Sequence, residues 1–339
     1  MWNKTKELEN FLINEFLSGK YTPNTKIPSR NQLATRHNCS RTVVERAIKS
    51  LTQQGYIKST KGSGTVFVTA QPDVNEIKEI RTISPYDIRS HEFSPSYLFL
   101  GEDLYQQPLL WFQPQFINRD IDRLIEPNGA IVWVMPSYEH IYYLNYLKSH
   151  NVPLLLINRN YEGFDYIRTD PYSSIHEGLS WLMIEGGRDI AFVSREATSS
   201  KPYLHDRIIA FYQSCTDLGA NLQSKWNFVR PFKDIPDEIA EIGRKLFGGH
   251  KKAKAIFVLE VDLVLPLITC AKNYNLQAGK DFKILTFDFI QSLAKYPGVG
   301  MMQQPYDLYK SEIKNYIEHC NAKKTTPFKI SLKTNLIIE

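Results

Sequence analysis

Apolar residues recur at helical spacing near the start of the chain. The pattern predicts an amphipathic helix within residues 4–18, and Gly19 ends that helix. Its apolar positions are Leu8, Phe11, Leu12 and Phe16. A short loop with two prolines follows, so the next element is set off from the first helix.

Two further helices are indicated by their caps. Ser29 and Gln32 have the spacing of a capping box, which predicts a short helix starting beside them. Ser40 is suited to cap a third helix, and Gly55 is suited to end it in a left-handed conformation. The inward face of the third helix is formed by Val44, Ala47, Ile48 and Leu51. Its outward face is formed largely by Arg41, Thr42, Glu45, Arg46 and Lys49.

Two short runs, residues 56–58 and 66–68, flank the glycine-rich stretch 61–64 and predict a β-hairpin. Three helices followed by a hairpin, with a polar and basic third helix, predict a winged helix-turn-helix. The alternative is a small helical bundle whose charged face is merely solvated.

Charge is distributed unevenly along the chain, whose net value is +5. Residues 1–70 contain eleven Lys and Arg against four Glu, which gives +7 and leaves the other 269 residues at −2. A basic segment favours a polyanionic partner, because each phosphate that it neutralises releases condensed counterions. This asymmetry favours the DNA-binding interpretation over the solvated bundle.

The same segment resembles the DNA-binding domain of the GntR family over residues 4–69. The matching stretches are KIPSRNQLA, CSRTVVERAIKSLTQQGYI and KGSGTVFV, in the order and spacing of that family. The resemblance implies DNA contacts at three places, the start of the second helix, the start of the recognition helix and the tip of the wing. The residues implied are Ser29, Arg30, Ser40, Arg41, Thr42, Val43, Arg46, Lys61 and Gly62.

Two departures from the GntR pattern lie on the implied DNA face. Arg30 precedes Asn31 where the family has an acidic residue and then Arg, and Glu45 precedes Arg46 where the family tends to have the reverse order. These changes should alter which bases are read and leave the fold intact. Each helix-surface arginine could instead be only solvated.

A domain boundary is predicted where periodicity is lost. Residues 1–70 are assigned to the DNA-binding domain, 71–85 to a linker and 86–339 to a second domain. Between residues 86 and 128 the sequence is rich in aromatic residues and proline, and its strands cannot be assigned from the pattern.

From Ala130 onward, short apolar runs alternate with amphipathic stretches. This alternation predicts an α/β fold of parallel βαβ units in a doubly wound sheet. Such sheets bind ligands at the carboxyl ends of their strands. Asn158 and Arg159 directly follow the run LLLI and are therefore candidate ligand contacts.

The second domain resembles the effector-binding domain of LacI-type regulators, which is shaped like a periplasmic sugar-binding protein. The matching stretches are DPYSSIHEGLSWLMIEGGRDIAFVS, HDRIIAFYQSCTDLGA, ILTFDF and GVGMMQQPYDLYKSEI. The resemblance implies two lobes around a ligand, whose hydroxyls are held by Arg207 and Asp288. Each has a structural alternative, since Arg207 could pair with a surface carboxylate and Asp288 could cap a turn. Trp133 could stack on the ligand or pack in the core.

Other function classes lack their motifs. The chain contains no GxxxxGK[ST], GxSxG, HExxH or strand-associated GxGxxG, so an enzyme carrying a DNA-binding head is disfavoured. No apolar run reaches about 18 residues and the N-terminus is charged, which argues against a membrane span and a signal peptide. Four scattered cysteines argue against a metal site or a disulfide framework.

The sequence therefore predicts a cytoplasmic transcriptional regulator without a cofactor. Its expected partners are a pseudo-palindromic double-stranded DNA operator, a second copy of the chain and a small effector, with a monosaccharide favoured over other metabolites. Repression is favoured over activation. A binding module with a partner other than DNA is the remaining alternative, and the basic head argues against it.

Overall fold

The N-terminal part of the chain folds around one small apolar core. Our computed structural model describes residues 4–17, 20–53, 55–60, 64–68, 77–84, 98–100, 109–112, 117–126, 128–322 and 324–338. The first elements are α1 (Lys4–Leu17), α2 (Arg30–Arg36), α3 (Arg41–Gln53), β1 (Ile57–Thr60) and β2 (Gly64–Phe67). β1 and β2 pair antiparallel, so the predicted three helices and hairpin are confirmed.

The core of this head is formed by the residues whose spacing predicted it. Leu12, Phe16, Val44, Ala47 and Leu51 are each at most 1% exposed. Phe16 lies between Tyr56 and Phe67, with its ring centroid 6.1 Å and 4.8 Å from theirs, so the hairpin packs directly on α1. Burial of these aromatic and aliphatic side chains fixes the angle at which α3 is presented to solvent.

The second part of the chain contains two six-stranded sheets. The first sheet comprises β3 (Glu79–Ile83), β4 (Leu109–Phe112), β5 (Gly129–Val134), β6 (Leu154–Ile157), β7 (Asp165–Thr169) and β13 (Lys329–Leu332). Their spatial order is β13-β7-β6-β5-β3-β4, and every pairing is parallel. The helices α4 (Ile117–Leu124) and α5 (Ile141–Ser149) contribute to the core on one face, and α10 (Tyr306–Asn321) contributes on the other.

The second sheet comprises β8 (Asp189–Arg195), β9 (Asn221–Arg230), β10 (Ala255–Glu260), β11 (Lys283–Phe287), β12 (Val299–Gln303) and β14 (Asn335–Ile338). Its order is β14-β12-β11-β10-β8-β9, and only the β12–β14 pair is antiparallel. One face is covered by α6 (Pro171–Gly186) and α7 (Tyr203–Leu218), the other by α8 (Ile235–Phe247) and α9 (Val264–Lys272). Coverage on both faces explains the continuous apolar runs of the central strands.

The chain passes between the two lobes three times. It crosses after Thr169, again around Gln304, and finally between Leu332 and Asn335. The crossing segments bond to one another, since the Asp170 amide donates to the Leu332 carbonyl oxygen at 2.7 Å. The lobes are therefore joined by a narrow, hydrogen-bonded hinge, and the predicted doubly wound, two-lobed fold is confirmed.

The predicted linker, 71–85, is wrong at its C-terminal end. Residues 79–83 form β3, which lies between β4 and β5 in the first sheet. The segment has a polar appearance because it carries Arg81, whose side chain is buried and bonded to Glu79 and to the Leu124 and Glu126 carbonyl oxygens. The second domain thus begins before residue 86. Residues 71–76 and 85 lie outside the described part of the chain.

Candidate DNA-binding face and effector site

The predicted caps of α2 and α3 are both formed. The Gln32 amide donates to Ser29 Oγ at 3.4 Å, and the Ser29 amide donates to Gln32 Oε1 at 2.8 Å. Ser40 Oγ accepts from the Val43 amide at 3.3 Å. These bonds satisfy amide groups that have no intrahelical partner, and they fix the N-terminal turns of both helices.

The exposed face of α3 carries the predicted contact residues. Arg41, Thr42 and Arg46 are exposed, whereas Val43 is only half-exposed. Arg41 Nε lies 3.3 Å from Glu45 Oε1, and both side chains are more than half exposed. Because a solvated pair of this kind contributes only about 0.3–0.5 kcal/mol, it can be broken cheaply in favour of a DNA contact.

A concave surface of about 660 Å³ lies between α2, α3 and the hairpin. It brings Ser29, Arg30 and Arg41 together with Lys26 and with Gly64 at the start of β2. Three cations around one concavity suit a phosphate backbone. Lys61 and Gly62, which were predicted at the wing tip, lie outside the described residues.

Residues with left-handed backbone follow three strands at the carboxyl edges of the two sheets. Met135 follows β5 with φ 50°, Asn158 follows β6 with φ 55°, and Asp288 follows β11 with φ 70°. Asn and Asp tolerate this region better than most residues, because their short side chains bond locally. The sharp turns end the strands, and those at Asn158 and Asp288 place polar groups at the cleft.

Arg207 and Asp288, the two residues that the resemblance implied as ligand contacts, lie next to each other in the second lobe. Arg207 Nη1 donates to Asp288 Oδ2 at 3.2 Å. The Arg207 guanidinium also lies 3.6 Å from the centroid of the Phe287 ring and 4.8 Å from that of Tyr203. Its side chain is 7% exposed, whereas that of Asp288 is 38% exposed. Aromatic rings thus hold the guanidinium while the carboxylate remains open to a ligand.

Arg159 lies on the first-lobe side of the same cleft. It is 8% exposed, and its guanidinium lies 4.6 Å from the centroid of the Tyr203 ring. Nη1 donates to the Asn158 carbonyl oxygen at 2.5 Å, while Nε is buried without a hydrogen-bond partner. Burial, followed by repulsion from Arg207, lowers the pKa of Arg159 to about 10. The group therefore stays charged at neutral pH.

Gln304 connects the cleft to the hinge, and sequence reasoning missed it. Gln304 Nε2 donates to Asp288 Oδ1 at 2.8 Å, and Gln304 Oε1 accepts from the Thr169 hydroxyl. The hydroxyls of Thr169 and Tyr309 lie 2.8 Å apart, and Tyr309 Oη lies 3.5 Å from Asn158 Oδ1. The stretch GVGMMQQPYDLYKSEI contained the signal, but nothing in its spacing distinguished one glutamine from the other.

These residues surround a cavity of about 550 Å³ between the lobes. Its walls include Asn158, Arg159, Arg207 and Asp288, together with groups that the sequence did not single out. The latter include Ser137, His140, Tyr203, Gln304 and Tyr306. Burial lowers the pKa of His140, whose Nδ1 accepts from the Ser137 amide at 3.0 Å. The volume falls within the range of about 300–1,000 Å³ usual for small-molecule sites.

Trp133 does not belong to the site. It lies inside β5, is 0% exposed, and packs in the apolar core of the first lobe. Both faces of β5 are covered, so a central strand position cannot reach the cleft. The prediction of a stacking contact is therefore wrong, and the alternative of a core residue is correct.

Neither a metal site nor a membrane span is found in the described residues. No group of three or more His, Cys, Asp or Glu side chains within the described ranges could hold a metal ion. Among the helices described, none is long and apolar enough to cross a bilayer.

The head is a GntR-type DNA-binding domain. The model of bacterial regulatory proteins of the gntR family matches residues 4–67. An uncharacterized HTH-type transcriptional regulator, YurK of Bacillus subtilis, is 29% identical over 112 residues, which cover 30% of this chain and 46% of YurK. The chain thus spans about half the length of that relative.

Similarity over most of the chain is found with a second relative. The arabinose metabolism transcriptional repressor of Halalkalibacterium halodurans is 26% identical over 313 residues, covering 85% of this chain and 81% of that protein. Among solved structures, a complex of the transcriptional regulator CelR with cellobiose has a TM-score of 0.61 at 13% identity, covering 92% of this chain and 99% of that one. The second part of the chain therefore has the LacI-type fold.

Proposed function

We propose that this chain, whose residues 4–67 are a gntR-family domain, is a sequence-specific transcriptional regulator controlled by a small effector. The observation that carries the proposal is the coexistence of two sites in one chain. The exposed, capped face of α3 suits DNA, and the cleft contains a guanidinium and a carboxylate that suit a polyol. No catalytic step is part of this proposal.

A sugar is the effector class that the cleft favours. Arg207, Asp288 and Gln304 supply fixed donors and acceptors within one hydrogen-bonded group, which matches the adjacent hydroxyls of a sugar. The ring of Tyr203, which lines the cavity, gives the cleft apolar surface. The arabinose repressor and the CelR–cellobiose complex support the same class by similarity.

The hinge supplies the route from effector to DNA. Asp288, Gln304 and Thr169 form one hydrogen-bonded chain from the cleft into two of the crossing segments. A ligand that hydrogen-bonds to Asp288 alters the hydrogen bonding of Gln304. Lobe closure and ligand binding are therefore coupled when the ligand binds one arrangement of the lobes better than the other. We propose that closure moves the head and releases the operator, which makes repression relieved by sugar the expected response.

The operator is expected to be a pseudo-palindrome read by a homodimer in the cytoplasm. A single recognition helix reads only a short half-site, and two-fold symmetry doubles it at a spacing of about one helical turn. The basic residues on the head supply the affinity that does not depend on sequence.

The proposal is tested by selecting bound duplexes from a random DNA library with the purified full-length chain. We expect an inverted repeat to be enriched. The affinity for that duplex is then measured by fluorescence anisotropy with each sugar of a panel. A matched control is the Arg41→Ala, Arg46→Ala variant, which should lose the specific sequence.

Two outcomes contradict the proposal at different points. If no sequence is enriched, or if binding is insensitive to salt, the proposal that the chain is a DNA-binding regulator is wrong. The second outcome is enrichment of an inverted repeat whose affinity responds to amino acids or purines and not to any sugar or sugar derivative. In that case the chain is still a DNA-binding regulator, but its effector is not a sugar.

A further inference from the structure

Two arginines approach the cleft from opposite lobes, but only one has a carboxylate. Arg207 is paired with Asp288, and Asp288 is shared with Gln304. Within the described residues, Arg159 forms no ion pair with a carboxylate, although Asp288 and Glu139 line the same cavity. After burial, repulsion from the cation of Arg207 has the largest effect on the pKa of Arg159.

Arg81 shows how this fold satisfies a buried arginine that serves structure. Arg81 is 2% exposed, and its guanidinium bonds to the Glu79 carboxylate at 2.6 Å and to two carbonyl oxygens at 2.9 Å and 2.8 Å. Arg159 is almost as buried, yet it has one carbonyl partner and an unpartnered Nε. An unpaired buried cation is unfavourable, so its retention in a cleft indicates a function in binding.

The position of Arg159 fits that function. Its guanidinium is stacked on Tyr203, a residue that also contacts Arg207, and both arginines line the same cavity. Tyr203 therefore holds two guanidiniums at one wall of the cleft. Since the pKa of Arg159 remains about 10, deprotonation does not remove its charge at neutral pH. A bound anion would supply the missing partner.

Resting on the proposed function, we propose that the effector is an anionic sugar, and that Arg159 binds its carboxylate or phosphate group. Arg207 and Asp288 would hold the hydroxyls of the same molecule. Guanidinium binds both kinds of oxyanion in a bidentate geometry, so the structure favours a charged ligand over a neutral sugar.

The first test is a thermal melting series on the full chain at constant ionic strength. The probes are glucose, galactose and arabinose as neutral sugars, glucuronate and galacturonate as carboxylates, and glucose 6-phosphate and fructose 6-phosphate as phosphates. We expect an upward shift from one anionic class and little or none from the neutral sugars. The class that shifts the melting temperature distinguishes a carboxylate from a phosphate, and inorganic phosphate at equal concentration controls for general anion effects.

The matched variants are Arg159→Gln and Arg188→Gln, which remove the same charge. Arg188 is exposed and lies at the opposite end of the second sheet, where Nη1 donates to the Gly219 carbonyl oxygen. Arg159→Gln should lose at least tenfold in affinity for the anionic sugar, whereas Arg188→Gln should keep the parent value. Both variants should retain affinity for the selected operator.

A second measurement separates ligand binding from a structural role without any ligand. Arg159→Met removes an unpaired buried cation and keeps an apolar side chain of similar length, so its melting temperature should equal or exceed that of the parent. Arg81→Met strands the Glu79 carboxylate and should melt lower. A fall in Arg159→Met as large as that in Arg81→Met would assign Arg159 to structure and overturn the inference.

Two further results would overturn the inference that Arg159 binds an anionic sugar. The first is a neutral sugar that shifts the parent and Arg159→Gln equally, and the second is silence from every anionic probe. In either case, an enriched operator would leave the DNA-binding part of the proposed function standing, so the two failures are distinguishable.

Discussion

Arginine is used in opposite ways in the head and in the cleft. On α3, Arg41 is 68% exposed and its partner Glu45 is 52% exposed, so the pair is solvated and weak. In the cleft, Arg207 is 7% exposed and lies against Phe287, so its guanidinium is largely desolvated, whereas its partner Asp288 is 38% exposed. The head therefore presents solvated charges that lose their water only when DNA binds. In the cleft, the guanidinium of Arg207 is already desolvated before a ligand binds.

The largest expected effect follows from removing the cleft carboxylate. Asp288→Ala leaves Arg207 buried without its ion-pair partner, and we expect a loss near the lower end of about 3–5 kcal/mol in the free energy of unfolding. The lower end applies because Asp288 itself is 38% exposed. Urea unfolding measures this loss. Asp307→Ala, at a side chain that is 97% exposed, is the control and should change stability by less than about 0.5 kcal/mol.

Arg207→Ala should abolish effector binding in the cleft and leave DNA binding by the head intact. At a ligand concentration one hundred times the dissociation constant, the parent gains about 2.7 kcal/mol of stability, and this gain should vanish in the variant. Affinity for the operator without ligand should stay within twofold of the parent. A variant that still gains stability from the effector would remove Arg207 from the binding site.

Arg41→Ala should weaken specific DNA binding by about 1–3 kcal/mol, if the side chain reaches a base edge. The effector-dependent melting shift should stay unchanged, because Arg41 lies on the head. Titration of the selected operator by fluorescence anisotropy measures the first quantity. Unchanged affinity would limit Arg41 to its exposed pair with Glu45.

Lys49→Ala should weaken binding to every duplex by a similar factor. Lys49 is exposed on the outward face of α3, where a phosphate contact is expected. The slope of the logarithm of the binding constant against the logarithm of salt concentration should fall by about one. A slope equal to that of the parent would show that Lys49 neutralises no phosphate.

The smallest effect is expected from Glu45→Gln. The Arg41–Glu45 pair is solvated, so the free energy of unfolding should change by less than about 0.5 kcal/mol. Removing a negative charge from the DNA face should raise affinity for DNA severalfold at low salt, and the gain should shrink as salt rises. A stability loss comparable with that of Asp288→Ala would erase the contrast between the two regions.

The head could be predicted almost completely because its signals are local. Ser29, Ser40 and Gly55 each fix one end of one helix, and each was found in its predicted role. The hairpin follows from two short runs around a turn. Nothing distant in the sequence is needed to place these elements.

The cleft depends on contacts between segments that are distant in sequence, so the sequence pattern predicted only some of its residues. Arg207 and Asp288 are 81 positions apart, and resemblance to a known family was needed to place them together. Gln304 links Asp288 to Thr169 through hydrogen bonds of its side chain. No local sequence feature marks this role. Trp133 was misplaced because a short apolar strand does not reveal that both of its faces are covered.

The three crossings between the lobes restrict how this chain can be recombined. The head is one continuous segment, so a single junction between residues 68 and 77 can join it to another sensor. Each lobe, in contrast, is assembled from separate stretches, with β13 and α10 returning to the first lobe and β14 to the second. Exchanging one lobe therefore requires matched junctions at all three crossings. Such a protein can acquire a new operator by a single exchange, whereas a new effector is more readily acquired by substitutions within the cleft.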